Sequence, residues 1–276
     1  MSTSNDRVLI DVPRRSYGEI LGEEIHEGTA EVERHGLGLF LSGVSAGIDI
    51  TFSVLLMAVT LTLANGVLGP LFERALLANM YAVGFIFVKL GRSELFTEHT
   101  TLLVFPALHR KLSLGELARV WAYVYSGNLV GVAVLSAILA VFAPYFGIIQ
   151  PQAFGQIATH LVDYPGWIIL ISAILAGWMM GLLSWLTAAT RETMSQILCI
   201  WLVAAAIGFA GLHHAIAGSA EVLSGVFSGQ GASLAGFFHF LVWTTLGNAL
   251  GGLFFAVLKY AHAIHGQQSE PSGEPR

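Results

Sequence analysis

Apolar residues fill six long stretches of this chain, residues 37–68, 76–108, 117–146, 167–189, 194–227 and 234–260, with short polar segments between them. A helix needs ~20 apolar residues to cross a bilayer, and each stretch supplies them. Lipid offers no partner to a free N–H or C=O, so a spanning segment closes its hydrogen bonds within a helix. The short alternating segments of a membrane barrel do not occur in the sequence. The pattern predicts an all-α membrane protein with six transmembrane helices.

Ahead of the spans the pattern changes. Residues 1–35 are polar and acidic, carrying Glu19, Glu23, Glu24, Glu27, Glu31 and Glu33, without the early apolar core of a secretory signal. Tyr17, Ile20, Leu21 and Ile25 recur at helical spacing. They fit an amphipathic helix lying along the membrane or a neighbouring subunit, or else a solvated linker. The chain divides into an N-terminal tail (1–35), a six-span domain (36–262) and a C-terminal tail (263–276).

Of the 276 residues, 55% are hydrophobic and 11% charged. A soluble domain has about 25% charged residues, so no large soluble domain is expected. The net charge of −5, concentrated in the acidic tail, argues against a nucleic-acid or anionic-lipid partner at this end; the expected partners are membrane lipid around the spans and a small inorganic or organic anion. The lone Cys199 lies in an apolar run and reads as buried filler. With no P-loop, His-Glu-x-x-His or nucleophile elbow, the sequence points to no enzyme, no cofactor and no metal.

Lys and Arg orient the spans. Arg7, Arg14, Arg15 and Arg34 precede the first, Arg110, Lys111 and Arg119 follow the second, and Arg191 follows the fourth. Lys259 and Arg276 close the chain, while the opposite side has only Arg74. The positive-inside bias places both termini in the cytoplasm of a bacterial-type inner membrane. The loops at 147–166 and 228–233 contain no basic residue.

The two halves echo one another. Gly127-Asn128-Leu129-Val130-Gly131 in the third span matches Gly247-Asn248-Ala249-Leu250-Gly251 in the sixth, and Ala46-Gly47 matches Ala176-Gly177. Repeats of three spans are necessarily inverted, an architecture of transporters and channels. The small residues allow close helix approach, and each asparagine can bind a freed carbonyl of a broken helix.

The second and fifth spans are interrupted. The run Lys89-Leu90-Gly91-Arg92-Ser93-Glu94-Leu95-Phe96-Thr97-Glu98-His99 sets charges in an apolar stretch, where each costs about 2.5–3.5 kcal/mol at the membrane centre. The reading is two half-helices around a non-helical loop at residues 94–97. In the fifth span, Gly208, Gly211 and Gly218 flank His213-His214-Ala215-Ile216-Ala217. Half-helix N-termini facing one another would favour a small anion. His214 is either a pore-lining histidine able to change charge near neutral pH or a buried structural one, and His213 is expected off the pore. Asp49, mid-span, needs a proton or a partner, with Lys89 and Arg92 as candidates, or else lines the pore. Glu94 either accepts backbone N–H bonds to hold the loop or meets the solute. Glu98 and His99 would start the second half-helix.

The glycine-flanked His-Ala-Ile-Ala, the Glu-Leu-Phe-Thr element and the paired Gly-Asn motifs resemble the formate/nitrite transporter family over about residues 35–262. The wording Gly-Arg-Ser-Glu-Leu-Phe-Thr-Glu looks most like its divergent YfdC-like branch. The resemblance implies an aquaporin-like protomer with broken second and fifth spans, a homo-pentamer, and transport of formate, nitrite or a similar monovalent anion with proton participation. It implies that His214 is the central pore histidine and Thr97 the loop threonine. Leu95 and Phe96 would be the loop's apolar constriction, Tyr81, Phe85 and Ile207 the gates, and Asn248 a sixth-span asparagine. Three positions depart from the family pattern: Gly218 and Gly181 stand where asparagines are usual, and Pro165 where a vestibule lysine is. Two competing readings remain: the same fold conducting a neutral or cationic solute such as ammonia, or a non-conducting membrane scaffold or sensor.

Overall fold

The computed structural model describes residues 15–64 and 67–266. Arg7, Arg14 and Arg276 and the last ten residues of the C-terminal tail lie outside them. The described residues form helices and no strand. Six helices are long and apolar enough to cross a membrane.

The first, α1 (Tyr17–Glu33), is not one of these. Its start is fixed by a capping box: the Ser16 hydroxyl accepts from Glu19 N–H, and the Glu19 carboxylate accepts from Ser16 N–H. The spans follow as α2 (Gly36–Ala64), α3 (Pro70–Leu90), α6 (Leu114–Phe142), α8 (Gly166–Ala189), α9 (Thr193–Ala210) and α11 (Leu234–Gly266). Between them lie the short α4 (Phe96–Leu102), α5 (Val104–Leu108), α7 (Pro151–Val162) and α10 (Ala215–Phe227).

Two helix pairs form the frame, α2 with α6 and α8 with α11. Both seams run on the small residues of the repeated motifs. A Cβ on Gly131 would stand 3.0 Å from Gly47 Cα, and one on Gly247 would stand 2.7 Å from the Leu170 carbonyl. Each half-helix packs across onto the other half: α4 on α8 and α11, α10 on α2 and α6. Between the frames a continuous core gathers Ile50, Phe85, Leu95, Leu103, Met180, Ile207 and Phe240. The outer faces carry exposed Leu41, Ile138, Phe142, Leu175, Leu198, Leu246 and Phe254, the surface of a protein solvated by lipid or by further copies.

Three features differ from the sequence reading. The first is the non-helical segment of the second span, which is residues 91–95; Phe96 and Thr97 already belong to α4. The second is the supposed loop at 147–166, which holds α7, with Pro151 in its first turn and Ala153, Phe154, Ile157, Ala158 and Leu161 buried. Twelve residues are too few to span, and so escaped a search for spans. The third is α1, one face of which packs on its own chain. Ile20 and Ile25 pack with Phe105, Trp185 and Phe255, and Gly28 fits under the Leu102 carbonyl and Pro106.

Candidate functional site

The two breaks are built alike. After α3, Arg92 takes a left-handed conformation (φ 54°) and Ser93 N–H donates back to the Val88 carbonyl at 3.0 Å. After α9, Gly211 does the same (φ 67°), and Leu212 N–H donates to the Ile207 carbonyl at 3.1 Å. Each turn satisfies an orphan carbonyl at a helix end. Glycine is suited to that backbone, whereas Arg92 carries a steric cost there.

An asparagine splints each break. Asn128 Oδ1 accepts from Phe96 N–H at 2.8 Å, while its Nδ2 donates to the carbonyls of Glu94 (2.8 Å) and Gly43 (2.9 Å). Asn248 Oδ1 accepts from Ala215 N–H at 2.7 Å, while its Nδ2 donates to the carbonyls of His213 (3.0 Å) and Ala173 (2.7 Å). Both amides are buried, and both donor hydrogens are used on backbone. Asn248 thus binds the freed backbone of the broken helix, the role read from the Gly-Asn motifs, and fastens the loop to α8.

Between the breaks His214 meets Thr97. His214 is the N-cap of α10, its Nδ1 accepting from Ala217 N–H at 3.1 Å. An accepting Nδ1 carries no hydrogen, so the neutral ring is protonated at Nε2 and donates to Thr97 Oγ1 at 2.9 Å. The Thr97 hydroxyl keeps its own hydrogen for another acceptor. Phe85 stands edge-on to the His214 ring, centroids 5.2 Å apart, and Tyr81 follows one turn along α3 at 5.2 Å from Phe85. Gly208 of α9 lies directly against the Tyr81 ring. His213 points elsewhere, its ring nitrogens bonded to Ser172 Oγ (2.8 Å) and the Leu161 carbonyl (3.2 Å).

A cavity of about 590 Å³ opens beyond Tyr81, lined among others by Met57, Arg74, Tyr81, His160, His213 and Glu221. Tyr81 Oη is buried there without a hydrogen-bond partner. Arg74 donates to the Phe209 carbonyl at 2.6 Å and lies over its ring, so a guanidinium lines this cavity, whereas Pro165 stands where the resemblance implied a lysine. The positions where the family has asparagine are closed by aromatic rings: Phe240 covers Gly218, and Phe255 covers Gly181 so closely that a Cβ added there would lie 2.7 Å from its ring.

The charged residues of the second break sort differently from expectation. Lys89 pairs with Glu98, not with Asp49. Asp49 is half-buried and accepts from Ser93 Oγ at 3.0 Å, and Arg92 makes no ion pair among the described residues. Arg92 sits at the turn, with its backbone setting the direction of its side chain. The Glu94 carboxylate accepts from Arg34 at 2.6 Å rather than from backbone, and Glu31 accepts from the same Arg34 nitrogen at 2.7 Å. Phe96 turns toward α6, ring to ring with Tyr125 (4.7 Å) and Trp121 (5.7 Å). Leu95 and Ile207 are fully buried in the core beside Tyr81 and Phe85.

The sequence reading missed Glu221, Arg34 and the docking of α1. Glu221 had a signal, a lone acid in an apolar stretch, which marks a functional candidate by the same rule that marks Asp49. The link from Arg34 to Glu94 had none, because 60 positions separate the two residues. On α1, Glu24 is fully buried and accepts from Ser184 Oγ of α8 at 2.9 Å. Burial pushes its carboxyl up to about 8.

A family model described as formate/nitrite transporter matches residues 18–262. The chain is 29% identical over 256 residues to the inner membrane protein YfdC of Escherichia coli (strain K12), covering 91% of this chain and 80% of that protein. A solved structure described as an FNT family ion channel is similar with a TM-score of 0.77 at 24% identity, covering 89% of this chain and 99% of that one. A pentameric formate channel with formate bound is similar with a TM-score of 0.68 at 23% identity, covering 83% and 98%. With the match extending over nearly all the described residues, and with the six spans and two interrupted helices in place, the chain belongs to the formate/nitrite transporter family.

Proposed function

We propose that this chain is a multi-pass inner-membrane channel for a small monovalent anion such as formate, nitrite or a similar monocarboxylate, assembled as a homo-pentamer with both termini cytoplasmic. The observation that carries the reading is the Thr97–His214 hydrogen bond, formed where α4 and α10 begin, behind the aromatic pair Tyr81 and Phe85. An anion arriving there would meet the free Thr97 hydroxyl hydrogen and the partial positive charge at the start of α10. Tyr81, Phe85, Leu95 and Ile207 would form the apolar gate in front of it. The alike breaks and splints support two inverted three-helix repeats. Arg15 and Arg119 bind carbonyls at the two ends of α1's surroundings, Ala188 and Val32, and Lys259 lies over Tyr17, so the basic residues gather round α1 as a cytoplasmic face requires.

Proton linkage has a structural condition. His214 becomes an imidazolium only when Nδ1 releases Ala217 N–H. That exchange leaves a full positive charge and a free N–H, both of which an anion can use, so the charged ring would form together with anion entry. The full reading is tested with purified protein in liposomes under formate, nitrite, chloride and ammonium gradients. Flux of formate or nitrite is expected. Ammonium flux without anion flux would favour a neutral or cationic solute, the reading suggested by Glu221, which lines the cavity without a cationic partner among the described residues. An intact protein passing none of the four would favour a scaffold or sensor.

A further inference from the structure

We propose that Glu31, Glu94 and His99 form a binding site for a zinc-class dication that fastens α1 to the broken second span. Their donor atoms all lie within 4.8 Å of one another. Each comes from a different element: Glu31 from α1, Glu94 from the loop at residues 91–95, and His99 from α4.

The histidine carries the argument. His99 is 1% exposed, and its Nδ1 lies 3.1 Å from the Leu95 carbonyl. A carbonyl only accepts, so Nδ1 holds the ring hydrogen, and Nε2 of the neutral ring presents a lone pair. That lone pair points at two more acceptors, Glu94 Oε2 at 3.4 Å and Glu31 Oε2 at 3.8 Å, and Nε2 makes no hydrogen bond. With the ring neutral, three acceptors therefore converge on a space whose neighbouring cation, the Arg34 guanidinium, pairs with the carboxylates and does not reach Nε2. A charge-assisted N–H···O bond would close to about 2.7–2.9 Å. A zinc ion with ~2.0–2.1 Å bonds to nitrogen and oxygen instead holds tetrahedral neighbours about 3.4 Å apart. The 3.4 Å from His99 Nε2 to Glu94 Oε2 fits that spacing, while Glu31 Oε2, at 3.8 Å, would move in by a few tenths of an ångström on binding.

The surroundings agree. A metal-bound imidazole commonly donates its other N–H to a backbone carbonyl, the bond His99 already makes to Leu95. One imidazole with two carboxylates suits zinc and its transition-metal neighbours over magnesium or calcium, which prefer all-oxygen shells. Arg34 is the competing cation. Its Nη1 bridges Glu31 Oε2 and Glu94 Oε1 and leaves His99 Nε2 untouched, so a metal would compete with it for Glu31 Oε2, and its side chain is 36% exposed. Water would complete the fourth position.

The test uses the full-length, tag-free protein in detergent. Zinc binding is measured by competition with a chromophoric chelator, cobalt absorption reports four-coordination, and melting is followed with and without zinc. We expect one zinc per chain and a higher Tm with zinc. His99→Gln and Glu31→Gln should each weaken binding at least tenfold and abolish the melting shift. Arg34→Gln should tighten binding, because it removes the competitor, whereas a simple ion-pair cluster would gain no metal affinity from that loss. The H26N/H35N variant, altering exposed histidines of the same region, should bind as wild type. Absence of stoichiometric binding, or binding indifferent to both His99→Gln and Glu31→Gln, overturns the site. Glu31→Gln lies on the surface helix and serves if His99→Gln does not fold. None of these readouts involves flux, so the result is independent of the transport reading.

Discussion

Thr97 and His214 stand 2.9 Å apart although 117 positions separate them in the chain, and the bond between them links the starts of two half-helices. With His214 Nδ1 occupied by Ala217 N–H, the Thr97 hydroxyl accepts from the ring, and its own hydrogen is left for another acceptor.

Replacing His214 by Asn separates its two duties. Asparagine is a strong N-cap, so the bond to Ala217 N–H and the fold should survive. Its side chain does not titrate. Anion flux in liposomes should rise with acidity in the wild type across the range of about pH 5 to 8 where histidine titrates, and lose that slope in His214→Asn. His213→Asn, which alters bonds to Ser172 and Leu161, should leave the slope in place. An unchanged slope in His214→Asn would make the histidine a structural cap.

Phe96 and Phe85 should behave oppositely when truncated. Phe96 packs on Trp121 and Tyr125, so Phe96→Ala should cost the ~3–5 kcal/mol of stability typical of removing a buried Phe, and so lower the Tm, without adding leak. Phe85 lies between Tyr81 and His214, and Phe85→Ala should raise anion leak. A leak from Phe96→Ala with unchanged melting would return Phe96 to the gate.

The splints predict a folding phenotype. Asn248→Leu leaves Ala215 N–H and the His213 carbonyl without the amide that binds them, at ~1–3 kcal/mol each, and removes the second bond to the Ala173 carbonyl inside α8. Asn128→Leu does the same at the other break. Both variants should give little monodisperse protein on size-exclusion chromatography. Normal folding with changed solute preference would instead give Asn248 a direct part in conduction.

Glu24 ties the seating of α1 to pH. Its carboxyl, raised by burial from 4.5 to about 8, stays protonated in the docked helix over a range where a free carboxyl would ionise. The docked state thus holds one more proton between those values. Its stabilisation is complete below about 4.5 and is lost as pH rises through about 8. The Tm of the wild type should fall by several degrees from about pH 5 to about pH 8.5, and Glu24→Gln should flatten that fall. Parallel curves would remove Glu24 as its cause.

Much of this molecule was legible in one dimension. Six spans follow from hydropathy, because lipid leaves a backbone no other way to satisfy itself. The break after Ala210 was marked by Gly211 beside two histidines, and the one after Leu90 by charges no lipid-facing helix would carry. The repeated Gly-Asn pairs announced two equivalent seams. Partnership was not legible. Lys89 could have met Asp49 or Glu98, and only the turn of α3 into its left-handed Arg92 decided for Glu98. Glu94 read as a carboxylate that holds the loop or meets the solute; in the fold Asn128 takes the loop and α1 brings Arg34 to the acid. Phe96 and Leu95 are neighbours with one hydropathy and different surroundings, because the first turn of α4 carries Phe96 toward α6. Hydrophobicity is a property each residue carries alone, and the sequence states it outright. A hydrogen bond or an ion pair needs two groups within about 3 Å in the right orientation, and that distance is set by where the helices end, turn and cross.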